Sequence, residues 1–547
     1  MNFLIRDNLP AKANCAAELL NKYALKNPAD ETVALSFLED ESCCGDNYTI
    51  QTSEDGIVIR GNSVVAFNGA VGLLLRQSQQ TISNQTVNFS SNFRSTYFAN
   101  HFHNYYHAAT VDELCDYLET LALWGQNTLG LWFDMHHFAS LSDPQAQEML
   151  NKMKGLFQKA KSLGMKTALT HLANEYYVGA PGELLAENST QSGKYHKKLC
   201  GYYYTEICPS KKQGEQLLLA SFDELLDSFA SVGIDYLMLW PYDQGGCTCD
   251  DCYPWGSNGF YNIAKKKATL AKAKFPKIEI ILSCWYFEHF TVGEWGPALA
   301  CIKSDGDWID KLMIDIGGDI PTELKTIGKP VVSFPEISMY GATPWGGFGA
   351  NPIPGRLQSW FAKSKDICKG GAIYSEGIFE DVNKAVTLEL MRDPEVDVQR
   401  VVMDYCTYHF GKQYAEELTE IILRLEATLP RKTRLADGSF NDYPSKTPEQ
   451  LHTYVIENPN DIPAIAKSML ELDKKLPSSV KKSWRYRQIY IRALGDLALV
   501  ENGGIPNEKT DALFGQLAEI YHSQNAYYYV SPITREAILE NRGKGVE

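Results

Sequence analysis

The chain has 547 residues, of which 44% are hydrophobic, 12% aromatic and 22% charged, a balance that supports a sizeable buried core and excludes disordered and collagen-like chains. Sixty-seven acidic against 52 basic residues leave a net charge of −15, which argues against nucleic acid or an anionic membrane as a general partner. Met1–Pro10 carries Arg6 and Asp7 and builds no secretory apolar run, and no later stretch reaches about 18 uninterrupted apolar residues, so the cytoplasm is the expected compartment. Thirteen cysteines make an awkward odd number for a disulfide framework and are expected to be reduced.

In chain order, residues 1–90 read as a small α/β domain. Asn14 is placed to cap a helix with Ala16, Leu19, Leu20 and Tyr23 on one face. Strands are predicted at Val33–Leu38, Tyr48–Thr52 and Gly56–Arg60, and a second helix at Ala70–Gln77. From Arg94 an apolar strand followed by an amphipathic helix recurs. The eight strand candidates are Tyr97–His101, Thr128–Phe133, Lys166–Leu172, Tyr236–Trp240, Glu279–Cys284, Lys311–Ile316, Val331–Phe334 and Ala372–Tyr374. Helices fit between them at Val111–Trp124, Pro144–Leu163, Gly214–Val232 and Gly259–Ala273, with Asn383–Met391 after the last. With no Gly-rich phosphate loop after the first strand, the pattern predicts a (β/α)₈ barrel over residues 91–392 rather than an open doubly wound sheet. Residues 393–547 read as a helical domain, with a polar connection at Arg431–Ser445 and helices at Pro448–Val455, Ile462–Leu476, Val480–Leu499 and Glu508–His522.

Chemistry in such a barrel sits at the C-terminal strand ends, and here those positions are acidic and aromatic. They include His101 and His103 after strand one; Asp134, His136 and His137 after strand two; and His171, Asn174 and Glu175 after strand three. Strand four ends in Trp240-Pro241-Tyr242-Asp243, strand five in Trp285 and Glu288, strand seven in Glu336 and strand eight in Glu376, Glu380 and Asp381. Carboxylates among aromatic rings suit glycoside hydrolysis, in which one carboxyl protonates the leaving oxygen while another supports the oxocarbenium-like centre or activates water. Asp243, ahead of two glycines, Glu336 in its apolar Phe334-Pro335 setting, and Glu376 are the catalytic candidates. The competing use of any one of these acids is to cap a helix or pair with a neighbour, and this is the reading for Glu380 and Asp381, which open the next helix.

Substrate contacts are expected from His101, His103, Asp134, His137, Glu175, Trp240, Tyr242, Trp285, Glu288 and Trp345. Trp345 and Trp255 stand in Gly-rich loops, as sugar platforms or as plugs holding those loops down. Adjacent histidines on a strand would point to opposite faces, which favours hydroxyl binding over metal for His136-His137. Cys247, Cys249 and Cys252 have the compact spacing of thiolate ligands, and a closed zinc site needs a fourth, from Cys200 or Cys208. Such a zinc would be structural, and catalysis would need no cofactor.

The arrangement resembles glycosidases in which a small α/β domain precedes a (β/α)₈ barrel, as in family-20 hexosaminidases and family-67 α-glucuronidases. The likeness rests on Ala16-Ala17-Glu18-Leu19-Leu20, Asp46-Asn47-Tyr48-Thr49-Ile50, Gly56-Ile57-Val58-Ile59 and Asn68-Gly69-Ala70-Val71-Gly72-Leu73-Leu74. It rests too on Tyr374-Ser375-Glu376-Gly377-Ile378-Phe379-Glu380-Asp381-Val382-Asn383 and Tyr408-His409-Phe410-Gly411. The resemblance implies an exo-acting hydrolase of short oligosaccharides, N-acetylhexosaminidase-like. One departure is that those hexosaminidases carry an Asp-Glu pair after strand four, whereas Asp243 precedes Gln244. The alternatives are a hydrolase of an acidic sugar, for which Arg356 and Lys265 are the nearest cations, and a carbohydrate-binding barrel without turnover. The expected partner is an oligosaccharide or glycoside, with neither nucleic acid nor membrane, and with room for a homo-oligomer.

Overall fold

The computed structural model describes residues 2–24, 32–77, 82–100, 104–197, 199, 205–242, 245–317, 320–338, 350–429, 431–434, 440–441, 453–456, 458–505, 507–520 and 522. Five strands, β1 (Asn2–Ile5), β2 (Thr32–Glu39), β3 (Tyr48–Ser53), β4 (Gly56–Gly61) and β5 (Gln85–Val87), form one mixed sheet in the order β1-β2-β4-β3-β5. The helices α1 (Asn14–Tyr23) and α2 (Val64–Gln77) belong to the same N-terminal part. Asn14 does not cap α1. The 3₁₀ turn Ala11–Ala13 runs straight into the helix, so Asn14 is already helical and no extended residue is left for a side chain to cap from. The second helix begins at Val64, six residues before the apolar stripe that announced it.

Eight parallel strands close into a barrel: β6 (Arg94–Phe98), β7 (Thr128–Trp132), β8 (Lys166–Leu172), β9 (Tyr236–Trp240), β10 (Glu279–Ser283), β11 (Lys311–Ile314), β12 (Val331–Ser333) and β13 (Cys368–Ser375), with β13 pairing back onto β6. All eight expected strands are present. The first starts three residues earlier than predicted because Arg94 belongs to it: its side chain is buried, ion-paired to Asp46 at 2.7 Å and bonded to the Gly125 carbonyl at 2.8 Å. Around the barrel run α3 (Tyr105–Ala108), α4 (Val111–Leu123), α5 (Pro144–Ser162), α6 (Lys212–Ser228), α7 (Gly259–Lys274), α8 (Trp295–Asp305), α9 (Pro354–Ser364) and α10 (Asp381–Arg392). The strands read as near-continuous apolar runs because helices and neighbouring strands cover both of their faces.

The C-terminal part contains α11 (Val398–Phe410), α12 (Lys412–Glu426), α13 (Ile462–Lys475), α14 (Ser478–Lys482), α15 (Trp484–Glu501) and α16 (Glu508–Ile520). Three expectations fail here. The last three residues of the helix expected over Pro448–Val455 lie in strand β16 (Thr453–Ile456), and Arg431–Arg434, read as loop, is β14; they pair antiparallel, with β15 (Phe440–Asn441) on the far side of β14. Cross-strand hydrogen bonding overrides local periodicity. The single helix expected over Val480–Leu499 is broken at Ser483, whose extended backbone turns Trp484 and Arg485 in against the barrel helices. Among the described residues no helix is long and apolar enough to cross a membrane.

Two joints fasten these parts. At the first, α2 lies directly on the end of α4: Arg76 donates to the Leu123 carbonyl at 2.7 Å, and a Cβ on Gly72 would sit 1.7 Å from that same oxygen. At the second, the buried Asp381 accepts from Tyr117 (2.8 Å), Tyr405 (2.7 Å) and Arg485 Nε (2.7 Å), joining α10 to α4, α11 and α15. Burial alone would raise this carboxyl, but Arg485, with His409 and Lys384, outweighs it and holds Asp381 at about 2. Its contribution to stability is therefore complete above the ordinary carboxylate range and is lost as pH falls toward 2. Arg485→Met is expected to leave a buried, uncompensated carboxylate and to destabilise the fold by about 3–5 kcal/mol at neutral pH. Urea unfolding should show that penalty shrinking in acid, and a penalty independent of pH would contradict the pairing.

Candidate active site

The parallel strands bring their C-terminal ends to one rim, where alternate residues point inward. Tyr97, Trp240, Trp285, Phe334 and Tyr374 meet there. Ring centroids lie 4.6 Å apart for Trp240–Phe334, 5.5 Å for Trp240–Trp285, 5.7 Å for Phe334–Tyr374 and 6.0 Å for both Tyr97–Phe334 and Tyr97–Tyr374. Tyr286 stacks on Trp285 at 3.6 Å with a positive φ of 61°, and Glu288 has φ 69°, so two non-glycine residues after β10 hold a strained backbone of the kind found at functional loops.

Two predicted carboxylates enter this cup from adjacent strands. Glu336 is half-buried and accepts the Trp285 indole N–H at 3.2 Å, while its backbone bridges to Tyr374. Glu376 is buried and accepts the Tyr374 hydroxyl at 2.8 Å. The fully enclosed carboxyl is thus Glu376, not Glu336 as the Phe334-Pro335 setting suggested. Burial first, then the Glu380 and Glu336 charges, push Glu376 up to about 8 against the opposing Tyr374 bond. Glu380 serves the backbone instead. It accepts the N–H groups of Glu376 (2.8 Å) and Gly377 (3.2 Å) and the Ser338 hydroxyl (2.7 Å), fixing the bend after β13.

Beside the cup lies a second polar cluster. Glu175 accepts from Trp132 Nε1 at 2.9 Å and faces His136 Nδ1 at 2.5 Å, and His137 Nδ1 pairs with Asp134. The two histidines occupy a 3₁₀ turn with rings 4.1 Å apart, so the opposite-face expectation for a strand does not apply. Burial raises both Asp134 and Glu175 well above the usual carboxylate range.

Several expected contacts are otherwise employed. Tyr242 is fully buried with its hydroxyl on Glu294, and Glu294 also accepts the Gly256 N–H at 2.7 Å. Burial pushes Glu294 up to about 7. Trp255 is the plug rather than a platform: it is fully buried and donates Nε1 to the Pro241 carbonyl at 2.7 Å. Glu288 accepts from the Gly293 and Trp295 amides at 2.6 and 2.8 Å and so closes its own loop. His101, His103, Asp243 and Trp345 lie outside the described residues. Cys208, from the loop before α6, and not Cys200, which lies outside the described residues, joins Cys247, Cys249 and Cys252; the four sulfurs lie within 4.8 Å of one another. The sequence did not point to Trp132 or Glu294. Glu294 had no local signal, because its partner Tyr242 lies 52 residues away, whereas His136 was set aside on a strand geometry it does not have.

The class of protein these features define is a (β/α)₈ barrel with an N-terminal mixed sheet, C-terminal helices and a carboxylate-bearing aromatic cup at the C-terminal ends of its strands. No protein-family model matches the chain, and no curated protein matches it in sequence. Solved structures with the same fold include a family GH115 4-O-methyl-α-glucuronidase with specificity for decorated arabinogalactans (TM-score 0.63, 10% identity, 99% of this chain and 79% of that one). A second is the family-89 glycoside hydrolase of Clostridium perfringens, determined with GlcNAc-α-1,4-galactose (0.59, 13%, 93% and 64%). A third is a GH138 enzyme targeting pectin rhamnogalacturonan II (0.56, 10%, 99% and 78%). At these identities the likeness is one of fold.

Because its carboxyl is raised in the folded state, Glu376 contributes full stability below about 4.5 and loses it as pH rises through about 8. Glu376→Gln should match the parent protein in acid and gain on it by a few kcal/mol toward alkaline pH. Urea unfolding at both ends of that range measures the difference, and a constant offset would refute the raised carboxyl.

Proposed function

We propose that the protein is a glycoside hydrolase acting on short oligosaccharides or glycosides from a chain end, with an N-acetylhexosamine as the leading substrate, in the cytoplasm. The observation that carries this reading is the pairing of a proton-holding carboxyl, Glu376, with a second carboxylate, Glu336, in an aromatic cup at the rim where barrel enzymes do their chemistry. A glycosidic oxygen needs a proton as its bond to the anomeric carbon breaks, and a carboxyl titrating near 8 still carries one at neutral pH. The positive charge that develops on the ring needs an anion or an activated water, which Glu336 supplies. Tyr97, Trp240, Trp285 and Tyr374 offer faces on which a pyranose stacks. Asp243, the residue following Tyr242, is the third working carboxylate. The neighbours of the same fold act on glycosides by their own descriptions, which supports the reading.

The chain divides in this reading near residues 90 and 392 into sheet domain, catalytic barrel and helical domain. Bond cleavage needs no cofactor, and a structural zinc is assigned to the four thiols. The acidic-sugar alternative calls for cations at the rim. Lys265 instead pairs with Asp305 on the outer helices at 2.6 Å, and Arg356 opens α9 near Glu426.

Time-resolved proton NMR with α- and β-linked N-acetylhexosaminides, hexosides, fucosides and uronides should show turnover of one member and reveal its first-formed anomer. Glu336→Gln is expected to lower kcat by about 10²–10⁴-fold while the fold survives. With Glu376 as the proton donor, kcat/KM should fall as pH rises above about 8, and Glu376→Gln should remove that limb. Full activity in both variants would remove the assignment, and binding of a ligand with no turnover of any would favour the carbohydrate-binding barrel.

A further inference from the structure

The thiols of Cys208, Cys247, Cys249 and Cys252 come from two different loops, the first before α6 and the others after β9. Cys208 Sγ lies 3.7 Å from Cys249 Sγ and 3.8 Å from Cys252 Sγ. These spacings exclude a disulfide, whose sulfurs sit at about 2.05 Å. They equal the edge of a tetrahedron of sulfurs about 2.3 Å from a central ion, which is about 3.8 Å. Cys208, Cys247 and Cys252 are buried and Cys249 is half-buried. The surroundings are those of thiolates: the Glu187 amide points at Cys247 Sγ at 3.4 Å, the Ser210 hydroxyl lies 2.9 Å from Cys208 Sγ, and the backbone N–H groups of Ser210 and Cys249 are directed at Cys208 and Cys247. Such N–H and O–H donors offset the negative charge that four thiolates place around one divalent ion.

What the cluster is attached to gives the ion a mechanical role. Immediately after Cys252 come Trp255 and Gly256. The Trp255 indole holds the Pro241 carbonyl, its amide donates to Tyr195 at 3.1 Å, and the Gly256 amide bonds to Glu294, which also holds Tyr242. Cys252 packs into this knot: a Cβ on Gly259 would come within 2.5 Å of the Trp255 ring and 2.9 Å of Cys252 Cβ. On the other side of the turn, Asn174 grips Gly246 through both of its backbone polar groups, at 2.9 and 3.0 Å. The thiol turn is therefore held on both of its flanks, at Gly246 and at Trp255-Gly256.

We infer that Cys208, Cys247, Cys249 and Cys252 bind one zinc ion tetrahedrally, and that this ion fastens the loop after β9 to the loop before α6, fixing the backbone from Gly245 to Gly256. The metal assignment and the fastening stand without the glycosidase reading, and only their importance for turnover rests on it.

Elemental analysis of the full chain, purified without chelator in the presence of zinc, is expected to find one zinc per chain. Titration with a mercurial should release it, and cobalt(II) exchanged into the site should give the intense visible bands of tetrahedral thiolate coordination. Cys208→Ser and Cys252→Ser should lose the metal while Cys115→Ser keeps it, and if the first two do not fold, the mercurial release from the parent chain decides the point. Zinc below roughly a tenth of an equivalent, with all four thiols freely reactive, would overturn the site, and iron with thiolate charge-transfer colour would overturn zinc. Hydrogen exchange reads the fastening without any substrate. Metal removal should speed exchange at the Gly246, Trp255 and Gly256 amides by at least about tenfold, and unchanged exchange there would overturn the fastening role.

Discussion

The C-terminal rim of the barrel depends on the seam where β13 closes it against β6. Gly371 donates to the Phe93 carbonyl at 3.0 Å and pairs in register with Arg94, and there is no space at the seam for a side chain. A Cβ on Gly370, which has φ +85°, would meet the Ser91 hydroxyl at 1.9 Å and the Phe93 carbonyl at 2.1 Å, and one on Gly371 would meet Ser333. With the seam closed, Tyr374 comes level with Tyr97 and Glu376 emerges one strand away from Glu336. Without closure the last strand could slide, and a one-residue slip would turn its inward side chains outward.

The chain treats its buried carboxylates in two opposite ways. Asp381 is surrounded by Arg485, Lys384 and two tyrosine hydroxyls, keeps its charge and welds the helical part onto the barrel. For Glu376, Glu294, Asp134 and Glu175 burial is the largest influence, and each is held toward its protonated form. The first arrangement makes a joint, because breaking it leaves a charge in a dry interior. The second makes carboxyls that hold on to a proton, which is of use in catalysis only where a reacting atom can reach them. That condition is what the proposed reaction asks of Glu376, whereas Glu294, engaged by Tyr242 and Gly256, holds backbone in place.

The repeating strand-helix pattern was legible because both strand faces are covered, which makes each strand a continuous apolar run between polar turns. The rule that chemistry sits at the C-terminal ends then led to Glu336 and Glu376. Features that depend on distant partners were hidden. Arg94 looks like a loop residue until Asp46 is seen to neutralise it, and Asp381 looks like a helix-opening acid until Arg485 arrives from 104 residues away. Thr453–Val455 ends a stretch of helical spacing yet lies in a strand because Arg431–Arg434 offers it a ladder. Trp255 and Trp345 were equivalent in sequence, each an indole among glycines, and only burial shows that Trp255 is a plug.

The helical part does more than cover the barrel. The chain returning to α9 after β12 is held at Ile353 by Asn383, whose side-chain nitrogen also donates to the Asn351 and Ile337 carbonyls at 2.8 and 3.2 Å. Arg492 of α15, fully buried and paired with Asp496 at 2.9 Å, reaches Asn351 Oδ1 at 2.5 Å. A guanidinium is costly to bury, and its place here is accounted for by what it holds: the foot of the loop that leaves the strand bearing Glu336. The rim is thus held by the glycine seam, by the bonds of Trp255 and Gly256 after β9, and by the C-terminal helices through Arg492. Changes in α15 that preserve the fold can consequently reach the rim of the barrel through Arg492 and Asn351.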